Sequence, residues 1–169
     1  MKEFMETYAW YNRKANNALV KIVQEHPELA SRESTTYYGS VLALLSHILL
    51  SDLTWLRRLG AQEKVTATVF DVRFSSISDQ PFLTLTEFAD HREELDRAIE
   101  TYCAALSEDA LETPFDYQNS KGCEFTQKRW QALLHMFNHQ THHRGQVAQV
   151  LDEDGIKNDV SNIIWYLRE

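Results

Sequence analysis

The spacing of apolar residues along the chain predicts four long helices. In the first segment, from about Lys2 to about His26, apolar side chains recur three and four positions apart, as on one face of an amphipathic helix. These positions are Met5, Tyr8, Ala9, Tyr11, Ala15, Ala18, Leu19, Ile22 and Val23. Pro27 follows and ends the predicted helix, because proline cannot continue the helical hydrogen-bond pattern.

The second predicted helix runs from about Tyr37 to Leu59, and Gly60 ends it. It is apolar on most sides, which predicts that other elements contact it from more than one direction. The third predicted helix runs from near Thr86 to about Leu106. Either Thr84 or Thr86 is suited to be its N-cap.

The fourth predicted helix extends from an N-cap at Thr126 to about Asp154, and Gly155 stops it. A long connection, from Ala61 to Leu85, joins the second and third helices. Alternating residues on both sides of Asn119-Ser120-Lys121-Gly122 predict a small hairpin or extended loop before the fourth helix. The apolar tail after residue 158 predicts a short last helix packed against the body.

These elements predict an all-α fold: a four-helix bundle with one long crossover connection, a small hairpin or loop before the fourth helix, and a short C-terminal helix. At 169 residues, the chain is most simply one domain covering residues 1–169. That length buries a sufficient core without disulfides.

Composition narrows the class of partner. A formal net charge of −8 argues against nucleic acid, because phosphate binding requires clustered Lys and Arg. No apolar run reaches the roughly 20 residues of a membrane span, and the first residues lack the apolar core of a signal peptide. Cys103 and Cys123 have no CxxC spacing and suit a reducing compartment. A cytoplasmic location is therefore expected.

Four of the seven histidines lie close together in the fourth predicted helix, at positions 135, 139, 142 and 143. Residues four apart share a helical face, so His135, His139 and His143 form a stripe, whereas His142 is turned away by about 100°. Two imidazoles one turn apart can hold one metal ion, as in HExxH metalloproteases. Spacing alone does not separate the pair His135/His139 from the pair His139/His143. A stripe of solvated or hydrogen-bonded histidines is the alternative to a metal site.

A third ligand has to come from another element, and His47 is the candidate. It lies in the middle of the most apolar helix, where a buried imidazole needs a hydrogen-bond partner or a metal. The alternative for His47 is a core histidine with its hydrogen bonds satisfied. His26 and His91 stand among polar neighbours and are expected at the surface.

The segment Asn138-His139-Gln140-Thr141-His142-His143-Arg144-Gly145-Gln146 resembles the fourth-helix signature of the DinB-like superfamily, in which paired histidines precede Arg-Gly-Gln. The first helix, with Tyr8-Ala9-Trp10-Tyr11-Asn12-Arg13-Lys14-Ala15-Asn16, resembles the Tyr/Trp/Asn opening of that superfamily. The resemblance spans nearly the whole chain. It implies that the metal ligands are His47, His139 and His143, and that His135 has a supporting or structural position.

The resemblance also implies a function. Three neutral imidazoles leave positions on the metal open, as in catalytic rather than structural sites. Zinc or nickel is the expected divalent ion, with iron or another ion also compatible with imidazole. Relatives use the metal to activate a low-molecular-weight thiol, so a thiol S-transferase-like enzyme acting on a small molecule is the leading hypothesis. A homodimer is also expected by resemblance.

Two alternatives remain open. The first is a metal-dependent hydrolase, although Gln140 stands where the HExxH motif has its general base, so that another carboxylate such as Asp52 would have to serve. The second is a non-enzymatic, stress-related binding protein whose metal is structural or vestigial. Arg144 and Gln146 are expected either to orient the ligands or to be ordinary polar packing. Gly145 is expected to allow close approach of another backbone, in the bundle or at a dimer interface.

Overall fold

The computed structural model describes residues 1–32 and 38–168. Its helices are α1 (Lys2–Glu25), α2 (Val41–Arg58), α3 (Leu85–Ala105), the short α4 (Glu108–Glu112), α5 (Arg129–Glu153) and the short α6 (Ile163–Tyr166). Strands β1 (Pro114–Gln118) and β2 (Glu124–Lys128) form an antiparallel hairpin between α4 and α5. The predicted all-α fold with a small hairpin is confirmed.

The four long helices form a bundle in which α1 and α2 lie diagonally. Helix α1 packs against α3 and α5, and α2 packs against the same two helices. The core lies between them and is made mainly of Leu19, Val23, Leu44, Leu49, Leu53, Leu56, Phe88, Leu95, Tyr102, Phe137 and Leu151. The apolar sides of α2 are therefore covered within one chain, so their composition gives no support to the expected homodimer, which stays a prediction.

The helix ends follow local chemistry. The hydroxyl of Ser40 accepts a hydrogen bond from the Ala43 backbone N–H at 3.1 Å and caps α2. Thr84 caps α3 in the same way. Gly60 adopts φ +70° and ends α2 as predicted. The predicted start of this helix at Tyr37 lies outside the described residues.

The expected cap of the fourth long helix at Thr126 is wrong. Thr126 remains in β2, opposite Asp116 of β1, and its hydroxyl donates to the Asp116 carboxylate at 2.6 Å. Helix α5 begins at Arg129, and the Gln131 side chain accepts a hydrogen bond from the Lys128 backbone N–H. Thr126 is a good β-former as well as a good cap, and cross-strand pairing with Asp116 decides its role here.

The crossover between α2 and α3 is held against α2 by an arginine. Two 3₁₀ turns, Ala61–Glu63 and Thr68–Asp71, lie within it. The Arg57 guanidinium donates to the backbone carbonyls of Phe70 and Val72, both at 2.8 Å. On the other side, the Tyr117 ring of the hairpin packs on Trp55 of α2. Crossover and hairpin therefore flank the groove between α2 and α5.

The tail packs back on α1 as expected. The Tyr11 hydroxyl donates to the Ser161 carbonyl at 3.0 Å, and its ring lies against Tyr166 of α6. None of the helices in the described ranges is both long enough and apolar enough to cross a lipid bilayer.

Candidate metal centre and adjoining cleft

Three imidazoles from two helices converge inside the bundle. His47 comes from the middle of α2, and His139 and His143 come from successive turns of α5. The Nε2 atom of His139 lies 3.1 Å from Nε2 of His47 and 3.0 Å from Nε2 of His143. In the described part of the chain, these three side chains are the group whose donor atoms all lie within 4.8 Å of one another, as a shared metal ion requires.

Hydrogen bonds at the far side of two rings fix where their lone pairs point. Nδ1 of His47 lies 3.0 Å from the backbone carbonyl of Ile77, and Nδ1 of His143 lies 2.6 Å from Oε1 of Gln146. Both oxygens only accept, so each Nδ1 must carry the proton and donate it. In the neutral rings, both Nε2 lone pairs are then directed at one common point, which suits a cation.

Burial keeps these rings neutral. Burial, together with a smaller effect of the neighbouring imidazoles, lowers the pKa of His139 to about 3. Burial also lowers the pKa of His47 to about 4, against the hydrogen bond from Nδ1 to Ile77, and it lowers the pKa of His143. Neutral imidazole is the form that binds metals, so the triad is ready for an ion at neutral pH.

The donor set fits a divalent metal of the zinc type. Metal–nitrogen bonds of about 2.0–2.1 Å place neighbouring ligand nitrogens roughly 2.9–3.4 Å apart for bond angles between 90° and the tetrahedral value. The two observed separations, 3.0 and 3.1 Å, fall in that interval. Three imidazoles without a carboxylate or thiolate also leave coordination positions for water or substrate.

A tyrosine hydroxyl also reaches the triad. Oη of Tyr38 lies 2.9 Å from Nε2 of His47, and the two rings stack with centroids 4.1 Å apart. The ring of Tyr38 also meets the edge of His143. Sequence reasoning missed Tyr38: the predicted second helix includes it, at a spacing from His47 that indicates no shared site, whereas Tyr38 precedes α2 in the structure. Its position nine residues before a mid-helix histidine carries no recognisable signal.

The other histidines lie outside the triad. His135 is one turn before His139 and packs on the Trp55 ring, with centroids 5.1 Å apart. His142 is exposed. His26, at the end of α1, and His91, against Phe82, were both expected at the surface, and both are half-buried. Of the two pairs that spacing left open, His139/His143 is the one that meets His47.

A cleft of about 560 Å³ adjoins the triad along the groove between α2 and α5. Its floor comes from α2 and α5, one wall is residues 74–77 of the crossover, and the other is the hairpin turn. Lining side chains include Ser51, Trp55 and Arg58 of α2, and His135 and His139 of α5. The volume is in the range that small-molecule sites occupy.

Two residues of the Arg-Gly-Gln segment, Arg144 and Gln146, have different roles. Gln146 orients His143, as described above, whereas Arg144 is fully buried and faces away from the triad. The Arg144 guanidinium donates to the side-chain oxygens of Asn12 at 2.6 Å and Asn16 at 3.1 Å. It also donates to Gln140, so the residue in the general-base position of HExxH belongs to this core network and not to the metal centre.

The same network contains a buried set of charges. Arg92 of α3 donates to Asp52 of α2 and to Asp96, both at 2.7 Å, and Asn16 donates to Asp96. Burial raises the pKa of Asp52 to about 7, while Arg92 opposes that shift. Asp52 is thus engaged with Arg92 inside the bundle and is absent from the lining of the cleft among the described residues.

Gly145 does not serve a close approach within this chain. It is exposed on α5, and a Cβ added there would meet no described atom within 4 Å. The expectation of close backbone contact inside the bundle is therefore wrong for the described residues, whereas close approach at a dimer interface stays a prediction.

Fold and site together define a helical-bundle protein with a three-histidine centre of metal-binding geometry. The DinB family model matches residues 1–169, so the chain belongs to the DinB family. It is also similar to Protein DinB of Bacillus subtilis (strain 168), with 24% identity over 169 residues that cover 99% of this chain and 95% of that protein. The superfamily resemblance drawn from the histidine motif is confirmed.

Proposed function

We propose that this protein binds one divalent metal ion, zinc or nickel by preference, through His47, His139 and His143. The observation that carries the proposal is the convergence of three Nε2 atoms, with separations of 3.0 and 3.1 Å around His139. Because Ile77 and Gln146 hold the protons of two rings at Nδ1, lone pairs face each other across this point. A cation bound at this point would satisfy these lone pairs together, and the convergence of three rings from two helices favours it over a stripe of solvated or hydrogen-bonded histidines.

We further propose that the centre is catalytic and acts on a small molecule in the manner of a thiol S-transferase. The cleft reaches the triad at His139 and offers room for an organic substrate. A bound divalent ion would supply the positive charge that lowers the pKa of a coordinated thiol. The chain contributes neutral ligands, fixed ring orientations and two aromatic side chains of the cleft lining, Trp55 in the floor and Phe74 in one wall.

Tyr38 is suited to assist at the same place. Its hydroxyl lies 2.9 Å from a ligating nitrogen, so it can hydrogen-bond to a group that occupies an open metal position beside His47. The stacked His47 ring fixes the phenol plane. We assign Tyr38 the positioning of the substrate thiol or of its partner electrophile.

Hydrolysis receives less support than thiol transfer. A hydrolase needs a base near the bound water, and no carboxylate is among the described residues that line the cleft. Gln140 and Asp52, the two positions considered for that role, are both engaged in the buried network.

Metal binding is tested by replacing each ligand separately with alanine and measuring bound zinc and nickel by elemental analysis after reconstitution. His142→Ala is the matched control, because His142 lies on the same helix but is exposed. We expect about one ion per chain in the parent and the control, and a loss of at least tenfold in affinity in His47→Ala, His139→Ala and His143→Ala. Equal metal content in all five proteins would refute the site.

The transferase proposal is tested with the metal-loaded protein, a set of small thiols and 1-chloro-2,4-dinitrobenzene as a generic electrophile. Formation of the thioether is followed by its absorbance. We expect conjugation above the uncatalysed rate, lost on chelation and restored by the metal. A failure of every thiol to give metal-dependent conjugation would overturn the transferase proposal while leaving metal binding intact.

A further inference from the structure

Among the described residues that line the cleft, one side chain carries a permanent charge, Arg58, at the end remote from the triad. The side chains of α2 that line it stand three or four residues apart, at Ser51, Thr54, Trp55 and Arg58, and so continue along the helix from the face that carries His47. Eleven residues of helix separate His47 from Arg58, which is an axial distance of about 16 Å. The cleft is therefore elongated, with imidazoles at one end and a guanidinium at the other.

Arg58 has no partner for its charge in the described part of the chain. Its neighbour Arg57 donates to two backbone carbonyls, but Arg58 makes no hydrogen bond or ion pair with any described residue. Instead, its guanidinium lies over two rings, 4.8 Å from the Trp55 centroid and 5.5 Å from that of Tyr117. The rings fix the position of the cation but leave its five N–H donors for another group.

The described residues that line the cleft include no acidic side chain that would compete for Arg58. Apart from Arg58, all of these described lining residues are uncharged at neutral pH, and they comprise hydroxyl, amide, imidazole and apolar side chains. This is unusual in a chain with a net charge of −8, whose acidic side chains lie elsewhere. A planar guanidinium held on aromatic faces, with free donors and no local carboxylate, is suited to bind a carboxylate or phosphate with two parallel hydrogen bonds.

We infer that Arg58 forms an anion subsite of the cleft, so that the substrate is an elongated molecule with its reacting group at the triad and a carboxylate or phosphate at Arg58. This inference rests on the proposed function for the position of the reacting group. It assigns Arg58 to substrate binding and specificity, and it makes Trp55 and Tyr117 positioning residues that act through Arg58.

The test compares two thiols that differ in anionic charge. Glutathione carries carboxylates several bonds from its sulfur, and glutathione diethyl ester has the same framework with both carboxylates blocked. Binding is followed in the cobalt-substituted protein by the sulfur-to-metal charge-transfer absorption, which needs no turnover. The variants are Arg58→Gln and, as a control, Arg97→Gln, which removes an exposed arginine of α3 that pairs with Glu93.

We expect the parent and Arg97→Gln to bind glutathione roughly tenfold or more tightly than the diester. Arg58→Gln should lose that preference through weaker glutathione binding, with the diester affinity unchanged. Far-ultraviolet circular dichroism and melting temperature confirm that each variant is folded. A preference for glutathione that survives in Arg58→Gln would overturn the inference, because the carboxylates would then be held by the metal or by another group.

Failure of the proposed function has a different signature. If neither thiol produces the charge-transfer band, sulfur does not reach the metal, and the subsite is tested with S-methylglutathione and its diester by tryptophan fluorescence. Loss of the preference for the charged compound in Arg58→Gln alone then supports the anion subsite. Equal binding of the two compounds by the parent would refute it.

Discussion

At the scale of single residues, the proposed metal centre depends on residues other than its three proposed ligands. His47 and His143 point their Nε2 atoms inward only because Ile77 and Gln146 accept the protons at Nδ1. These contacts remove the freedom of each ring to flip or change tautomer. Gln146 of the Arg-Gly-Gln segment can make this hydrogen bond because it lies about one helical turn after His143.

Replacement of Gln146 by leucine should therefore weaken the centre without removing a ligand. The leucine fills similar space but accepts no hydrogen bond, so His143 loses its fixed orientation. We expect metal affinity to fall by about 10–100-fold, measured by competition with a chromogenic chelator. Gln149→Leu, an exposed position of the same helix, is the control and should bind as tightly as the parent. Equal affinity of both variants would contradict the role of Gln146.

The different burial of the two cysteines predicts that they differ in reactivity. Burial in the core raises the pKa of Cys103 to about 12, whereas Cys123 is exposed next to the hairpin turn. We expect iodoacetamide at pH 8 to alkylate Cys123 in the native protein and to reach Cys103 only after denaturation, as measured by peptide mass spectrometry. Modification of Cys103 at a comparable rate under native conditions would show that α3 opens more readily than its packing indicates.

At the scale of elements, a polar network ties the four long helices together. Arg144 of α5 meets Asn12 and Asn16 of α1, and Arg92 of α3 meets Asp52 of α2. Two residues of the first-helix motif, Tyr11 and Asn12, thus contact the arginine of the fourth-helix motif, Arg144. Buried charges of opposite sign are tolerated because each has a partner, and removal of one partner is costly.

Arg92→Met should be strongly destabilising for that reason. It leaves the buried carboxylates of Asp52 and Asp96 without the guanidinium that donates to both, which should lower the free energy of unfolding by about 3–5 kcal/mol in urea denaturation. Arg97→Met, on an exposed position of the same helix, removes only a surface pair with Glu93 and should cost under about 1 kcal/mol. Similar losses for the two variants would show that the network does not stabilise the bundle.

The sequence predicted the elements better than their junctions. Apolar periodicity located α1, α2, α3 and α5 because each buries a continuous stripe. It misplaced the start of α5, since Thr126 satisfies the rules for a cap and for a strand, and only the opposite strand decides between them. The short helix α4 has too few residues to show a period and was not predicted.

Prediction of the site met the same limit. Spacing brought His135, His139 and His143 onto one face but could not choose between pairs, because that choice depends on where His47 of α2 arrives. Tyr38 and Ile77 reach the triad from connections, and Ile77 contributes through a backbone carbonyl that no residue type reveals. Contacts made by loops follow from tertiary packing and leave no period in the sequence.

At the scale of the whole molecule, burial of neutral imidazoles couples folding to pH. The pKa values of His47 and His139 in the folded protein, about 4 and about 3, lie below the ordinary value of 6.5 that applies after unfolding. Below pH 6.5 the unfolded chain therefore takes up protons that the folded chain does not. The stability that depends on these two rings being neutral is fully present above pH 6.5. It is lost as the pH falls toward 4.

The metal-free protein should accordingly lose stability between pH 6.5 and pH 5. We expect the free energy of unfolding in urea to fall over this interval, and to fall less steeply in a His47→Gln, His139→Gln double variant. His142→Gln is the control, since this exposed side chain should leave the slope as in the parent. An identical slope in the double variant would show that these two rings do not titrate as their burial requires.

The three proposed ligands come from two different helices, so a bound ion would also affect the stability of the fold. His47 and His139 are 92 positions apart in the sequence, with the crossover, α3 and the hairpin between them. An ion gripped by both would act as a cross-link that closes this long loop, and by the entropy of loop closure it would disfavour the open chain by about 4–5 kcal/mol, as a disulfide of that span does. The proposed metal centre would then be a reversible cross-link between α2 and α5. The three imidazoles that form it would leave the other coordination positions of the ion open for substrate.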